Sequence, residues 1–244
     1  MQIVTPTAAL RSREYLAVRG PEAKDFLQRM VSNDVELAPC PALLLTPKGR
    51  VIAPLVVVRR GDDDYLLLTE EGLGDVVRSA LTRARFAAKV AIEPEEHTSV
   101  LVFGGEEGIP NEEYGVPVVE VLDAEPPASP ADADELERLR ILARRPRWGR
   151  EIDDRILPAE AGLTETHVSF TKGCYPGQEP IARLHYRGKA NRELRVLEVE
   201  GRPEPETDVL YGDKIVGRIT SSVPGLALAF VRTDVPEDAS IRLG

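Results

Sequence analysis

Cysteine is nearly absent from this chain: two residues, Cys40 and Cys174, occur in 244. Two widely separated cysteines make no disulfide framework of the kind small secreted domains need, so a reducing, cytoplasmic setting is the expectation. Histidine is almost as scarce, at His97, His167 and His185, and no short spacing of Cys and His offers the several close ligands of a structural metal site. Positive charge is in deficit, with 31 Lys and Arg against 41 Asp and Glu and a formal net charge of -10. That balance opposes non-specific attraction to phosphate backbones and anionic membranes; a nucleic-acid partner would need a local basic patch that the totals hide, and none is expected. Long apolar runs are missing too. No stretch approaches a membrane span, and the opening MQIVTPTAALRSREYLAV has neither a basic start before an apolar stretch nor a cleavage pattern, so export and insertion are disfavoured. Internal repeats and low-complexity segments are lacking as well.

What is present is a chain long enough, at 42% hydrophobic residues, to bury a substantial core and divide into more than one unit. Tyr15 to Val18 reads as a strand, and Gly20-Pro21 opens an amphipathic helix with Phe26, Leu27 and Met30 on its apolar side, closed by Ser32-Asn33-Asp34. Ala42 to Leu45, Val51 to Arg59 and Tyr65 to Thr69 form an expected antiparallel meander across the turns at Pro47-Lys48-Gly49 and Gly61 to Asp64. Helical spacing follows over Gly74 to Phe86, then strands at Val100 to Phe103 and Val116 to Leu122. The proline-rich connector from Asp123 to Pro130 sustains neither regular structure, and Asp132 with Glu135 has capping-box spacing before a helix carrying Leu136, Leu139 and Leu142. From Leu194 onward short strands alternate with glycine turns, which reads as a small β-barrel or sandwich. The fold class is α+β.

The chemistry concentrates between Phe170 and Leu194, FTKGCYPGQEPIARLHYRGKANREL. Gly173 and Gly177 open the backbone to angles and approaches closed to other residues, and Pro176 and Pro180 stiffen the same turn, so Cys174 reads as a reactive group on a rigid, open loop. A cysteine reacts as its thiolate; Lys172 and Arg183 favour that form and Glu179 opposes it. Cys40, between Ala38-Pro39 and Pro41, has no charged neighbour and reads as a small buried hydrophobe whose removal is silent. His167 and His185 flank the loop and read as surface histidines. A Cys-His hydrolase would need an oxyanion site that the sequence does not place.

Lys172-Gly173-Cys174-Tyr175-Pro176-Gly177-Gln178-Glu179, with Ala182-Arg183 and Gly188, resembles the signature of YgfZ-type folate-binding proteins, relatives of the glycine-cleavage T-protein that include mitochondrial iron-sulfur assembly factors. The resemblance continues through Val18-Arg19-Gly20, Phe26-Leu27-Gln28, Ser32-Asn33-Asp34-Val35 and Lys48-Gly49-Arg50-Val51, and reaches Val216 to Ser221 in the tail. It implies three lobes around a channel that accepts tetrahydrofolate or a derivative: residues 1–45 with 124–190 as a discontinuous folate-binding lobe, 46–123 as an antiparallel α+β lobe, and 191–244 as a C-terminal β-barrel. Within Trp148 to Glu160, similar to the T-protein segment that holds the pterin, Glu160 is the implied carboxylate, able to accept two hydrogen bonds from an amino-pyrimidine edge. Asn33, Tyr15, Tyr175, Gln178, Glu179 and Arg183 are the further implied folate contacts, with Cys174 and Lys172 as the catalytic pair. One departure matters. Where T-proteins carry a pair of acids, one of them catalytic in aminomethyl transfer, this chain has Ala53-Pro54. Losing a general acid-base group typically costs about 10²- to 10⁴-fold. The implied function is therefore a folate-dependent accessory factor in iron-sulfur cluster synthesis or repair, acting on client or assembly proteins, with an aminomethyltransferase or a folate-responsive binding module without turnover as alternatives.

Overall fold

A computed structural model describes residues 7–244. The chain opens with β1 (Ala8–Arg11), β2 (Arg13–Arg19), α1 (Ala23–Met30), β3 (Cys40–Leu45), β4 (Val51–Arg59), β5 (Asp64–Glu70), α2 (Gly74–Ala84) and β6 (Ala91–Glu95). Strands β2 to β6 form one antiparallel sheet in the order β3-β4-β5-β2-β6. Along β4 the side chains alternate as the sequence pattern requires: Val51, Ala53, Leu55 and Val57 are buried, and Ile52, Pro54, Val56 and Val58 only partly so. Phe26 and Leu27 of α1 and Val77 and Leu81 of α2 pack with Leu16, Val57 and Leu67 into the largest core.

β7 (Ser99–Phe103), β8 (Ile109–Pro110) and β9 (Val118–Leu122) follow, and β1 returns to complete a second sheet in the order β1-β7-β9-β8. The expected lobe boundary between residues 45 and 46 therefore falls between two paired strands, β3 and β4, and residues 13–95 share one sheet while 8–11 join 99–122. Which strands become neighbours is set by main-chain pairing at long range, which a local pattern does not encode. The proline-rich connector leads into α3 (Ala133–Leu142), whose N-cap Asp132 accepts from the backbone N–H groups of Asp134 and Glu135.

Beyond it lie α4 (Thr164–His167), α5 (Gln178–Arg187), β10 (Arg192–Glu198), β11 (Asp208–Tyr211), β12 (Lys214–Val223), β13 (Leu226–Arg232) and β14 (Arg242–Leu243). These last strands do not close into the expected barrel. They form an open sheet, β10-β13-β12-β11-β14, because β10 and the two-residue β14 remain unpaired edges. The second half of the expected loop is also regular: Gln178 to Arg187 is helical, with Pro180 tolerated in the first turn. Among the described residues no helix is long and apolar enough to cross a membrane.

A second core joins the first sheet to the tail. Leu43, Leu45 and Val51 meet Ile141, Ile152 and Leu163 of the middle segment and Leu194, Leu228 and Phe230 of the last sheet. A buried ion pair crosses the same region, Arg140 Nη1 donating to Glu151 Oε2 at 2.9 Å, while Ser221 Oγ donates to Glu151 Oε1 at 2.7 Å and ties in β12.

The two turns singled out by the sequence dock on each other. Gly177, at φ +84°, caps α5, and a Cβ there would sit 2.5 Å from the Thr46 carbonyl oxygen and 3.0 Å from the Cα of Gly49. Gly177→Ala is expected to cost about 1–2 kcal/mol from the left-handed backbone alone, with the contact adding to it. Melting of the purified variant checks this; an unchanged melting temperature would mean that the turn relaxes freely.

Candidate functional site

The cysteine loop is built between α4 and α5 and stitched to the end of α1. Ser32 Oγ donates to the His167 carbonyl at 2.6 Å, and the Ser169 N–H donates to the Ser32 carbonyl at 3.0 Å. Asn33 Nδ2 donates to the carbonyls of Pro41 (2.7 Å) and Thr166 (3.1 Å), and its Oδ1 accepts from the Asp34 N–H. Asn33 is thus a buried brace whose side-chain amide engages protein partners at both ends.

Lys172 departs further from expectation. Its ammonium turns inward and donates to the carbonyls of Val31 at 2.8 Å and Asn33 at 2.7 Å. Burial lowers its pKa to about 8, against the opposing pull of Asp34 and Cys40. A cation fastened to two main-chain oxygens is a latch for the loop, not a free activator of its thiol. The other expected support for a Cys174 thiolate, Arg183, pairs with Glu179 at 3.1 Å on the exposed side of α5.

Cys174 itself is a free, exposed thiol. Gly173 beside it has nothing within 4 Å of a built Cβ, so the approach to the sulfur is open. Tyr175 is buried, which pushes its phenol up to about 12, and its N–H donates to Gln178 Oε1 at 3.2 Å. Lys172, Tyr175, Gln178, Glu179 and Arg183 all line one open groove of about 510 Å³ along α5. The structure brings these five expected residues together along one groove beside the loop that carries Cys174.

Tyr15 and Glu160 stand apart from that groove. Tyr15 is buried, its hydroxyl 2.6 Å from Ser99 Oγ and its ring edge-on to His97; it presents no aromatic face to the cysteine loop. Glu160 accepts from Arg192 Nε at 3.1 Å and from the Leu157 N–H at 3.1 Å, in a second groove behind α5. Both oxygens of its carboxylate are engaged by protein partners.

The sequence missed a cavity of about 140 Å³ between the first sheet and the middle segment, walled by Cys40, Pro54, Glu113, Arg145, Trp148 and His167, among others. Burial, then Asp34, push the Cys40 thiol up to about 11, so it is neutral there. Burial and the nearby Arg145 charge push His167 down to about 4, leaving a neutral imidazole at physiological pH. Burial would raise the Glu113 carboxyl, yet Arg13 and Arg11 overcome it and hold the group ionised. Glu113 Oε1 accepts from Arg11 Nη2 at 3.1 Å and Arg13 Nη2 at 2.9 Å, while its second oxygen has no protein partner among the described residues. No motif announces these side chains. The only sequence signal is the Ala53-Pro54 departure, since Pro54 forms part of the cavity wall. Among the described residues no group of three or more His, Cys, Asp or Glu side chains is arranged to hold a metal ion.

No protein-family model matches the chain. It is 26% identical over 230 residues to the tRNA-modifying protein YgfZ of Pectobacterium atrosepticum, covering 77% of this chain and 68% of that one. It is 25% identical over 260 residues to the mitochondrial iron-sulfur cluster assembly factor IBA57 of Mus musculus, covering 88% and 72%. The crystal structure of glycine cleavage system aminomethyltransferase T from Bartonella henselae superposes with a TM-score of 0.79 at 17% identity, covering 97% of this chain and 82% of that one. The chain thus has the fold of aminomethyltransferase T and, over about three quarters or more of its length, is similar in sequence to YgfZ and IBA57 proteins.

Proposed function

We propose that this chain is a cytoplasmic, folate-binding accessory factor in iron-sulfur cluster synthesis or repair, with the folate head group in the cavity at Trp148 and Cys174 as the reactive group outside it. The cavity carries the reading. Its volume, about 140 Å³, is of the order that accepts one aromatic ring system. Trp148, Pro39 and Pro54 offer flat apolar walls, and Glu113 offers an ionised carboxylate with one oxygen unspent. That combination fits a flat heterocycle with an amino-pyrimidine edge better than Glu160 does, because Glu160 already serves Arg192. Bound tetrahydrofolate would supply a carrier for a one-carbon unit. The chain's own contribution is to hold Glu113 charged through Arg11 and Arg13, to keep His167 and Cys40 neutral at the wall, and to fix the cysteine loop through Lys172.

The names of the relatives support the pathway: one is an iron-sulfur cluster assembly factor and another a tRNA-modifying protein. Aminomethyl transfer is the weaker reading, because Pro54 stands in the cavity wall and Ala53 is buried beside it, where that chemistry needs an acid.

Titration calorimetry with folinic acid tests the assignment. The parent is expected to bind and to melt higher with ligand. Glu113→Gln should weaken binding by about 1.5–3 kcal/mol, the scale of a hydrogen bond to a charged group, and Glu160→Gln should leave it nearly unchanged. The reverse order would return the pterin to Glu160, and no heat or thermal shift at millimolar folinic acid would end the folate reading.

A further inference from the structure

Around α5 the charge balance of the molecule reverses. After Glu179 the exposed side chains are Arg183, His185, Tyr186, Arg187 and Lys189, in a chain of net charge -10. The Arg183–Glu179 pair is solvent-exposed on both sides, and Arg187 forms no salt bridge among the described residues. Exposed pairs of that kind are worth about 0–1 kcal/mol, so Arg183 exchanges Glu179 for another anion at little cost.

An ordered aromatic ledge runs alongside. The Phe170 ring and the His185 imidazole stack at 4.0 Å and 20°, and Tyr186 meets both edge-on at 5.8 and 4.8 Å. Tyr186 is 68% exposed, an unusual position for a large aromatic that packs no core. Phe170, Tyr186, Arg183 and Arg187 line the same groove of about 510 Å³. An acidic peptide would use the guanidinium groups and leave the ledge idle. A heteroaromatic base stacks on such rings, while planar guanidinium groups match the oxygens of its phosphate.

We propose that the groove along α5 binds a nucleotide unit of single-stranded nucleic acid, with the base on the Phe170–His185–Tyr186 ledge and the phosphates on Arg183 and Arg187, on the helix that follows the cysteine loop. The overall negative charge confines this binding to the patch, and stacking on the ledge needs an unpaired base that a duplex does not offer. The site is separate from the folate cavity and does not depend on it.

Fluorescence anisotropy with a labelled twelve-nucleotide oligoadenylate tests it. Binding with a dissociation constant on the order of 10⁻⁴ to 10⁻⁶ M is expected, and log K should fall against log salt with a slope of about -1.4, from two cations at about 0.7 each. Tyr186→Ala should weaken binding at least about fivefold, the lower end of base-stacking energies. Arg183→Glu with Arg187→Glu should weaken it about tenfold or more and flatten the salt slope. Arg83→Glu on α2 should change little, and melting of each variant confirms that it is folded. Oligonucleotide binding tighter than adenosine monophosphate assigns a strand as the ligand, and equal affinity assigns a free nucleotide to the same site. The proposal is overturned by absence of binding at 50 mM salt, by equal affinity for duplex or polyglutamate, by indifference to Tyr186→Ala, or by displacement with folinic acid.

Discussion

Cys174→Ala is expected to abolish biological activity while leaving folding and folate affinity intact. The thiol is exposed on a loop whose fastenings lie elsewhere: Lys172 on the carbonyls of Val31 and Asn33, Ser169 on Ser32, and Gly177 against Thr46. Removing an exposed sulfur leaves no cavity, so the melting temperature should stay within the range of ordinary surface substitutions, about ±0.5 kcal/mol. Cys40→Ala is the matched control. That sulfur is buried at the cavity wall and approaches the Asp34 carbonyl at 3.5 Å, so its removal should lower the melting temperature and spare activity. In cells lacking the native gene, each variant would be scored by the activity of an iron-sulfur enzyme. Full complementation by Cys174→Ala would refute a reactive role for the thiol and favour a binding module without turnover. A normal Cys174→Ala beside an inactive Cys40→Ala would move the chemistry into the cavity.

The largest loss of stability is expected at Glu151. Its side chain is fully buried and Arg140 is 1% exposed, and the two meet at 2.9 Å. Arg140 is held further by Glu137, and Glu151 accepts in addition from the Arg147 N–H at 3.0 Å and from Ser221. One carboxylate therefore connects α3, the turn at Trp148 and β12. Glu151→Ala leaves the buried Arg140 guanidinium with Glu137 as its one remaining carboxylate and strips Ser221 and the Arg147 N–H of their acceptor, which costs about 3–5 kcal/mol on the scale of a broken buried pair. For a chain of this size each kcal/mol corresponds to about 2–4 °C, so a drop of about 6–20 °C is expected by calorimetry. Glu151→Gln keeps one acceptor oxygen for the Arg147 N–H, with its NH2 able to donate to Ser221 Oγ, and should lose less. A Glu151→Ala variant melting within about 1 kcal/mol of the parent would show that water replaces the carboxylate.

Much of this molecule is local and was legible as such. The alternation from Val51 to Arg59, the apolar side of α1 at Phe26 and Leu27, and the Asp132 cap each depend on residues within one turn or one strand, and each is in place. The cysteine motif was legible for the same reason, because Cys174, Gly177 and Gln178 set their own turn. α5 was not: of its ten residues only Ile181 is buried, so the apolar spacing that marks a helix is almost missing. Its backbone is fixed instead by the docking of Gly177 and Pro180 on Gly49.

What the sequence by itself determined is most of the inventory: the strands of the meander, α1, α2 and α3, the motif around Cys174 and the missing acid at Ala53-Pro54. Only the tertiary structure decided the partners. It joined β1 to a different sheet from β2 and left the last sheet open. It turned Lys172 toward α1, gave Glu160 to Arg192, and placed Cys40, Glu113 and His167 around one cavity. The reason is physical. A strand's alternation is written in adjacent residues, whereas the partner of a charge depends on which distant segments share its surroundings once the chain has closed, and burial then changes the protonation of the groups it encloses.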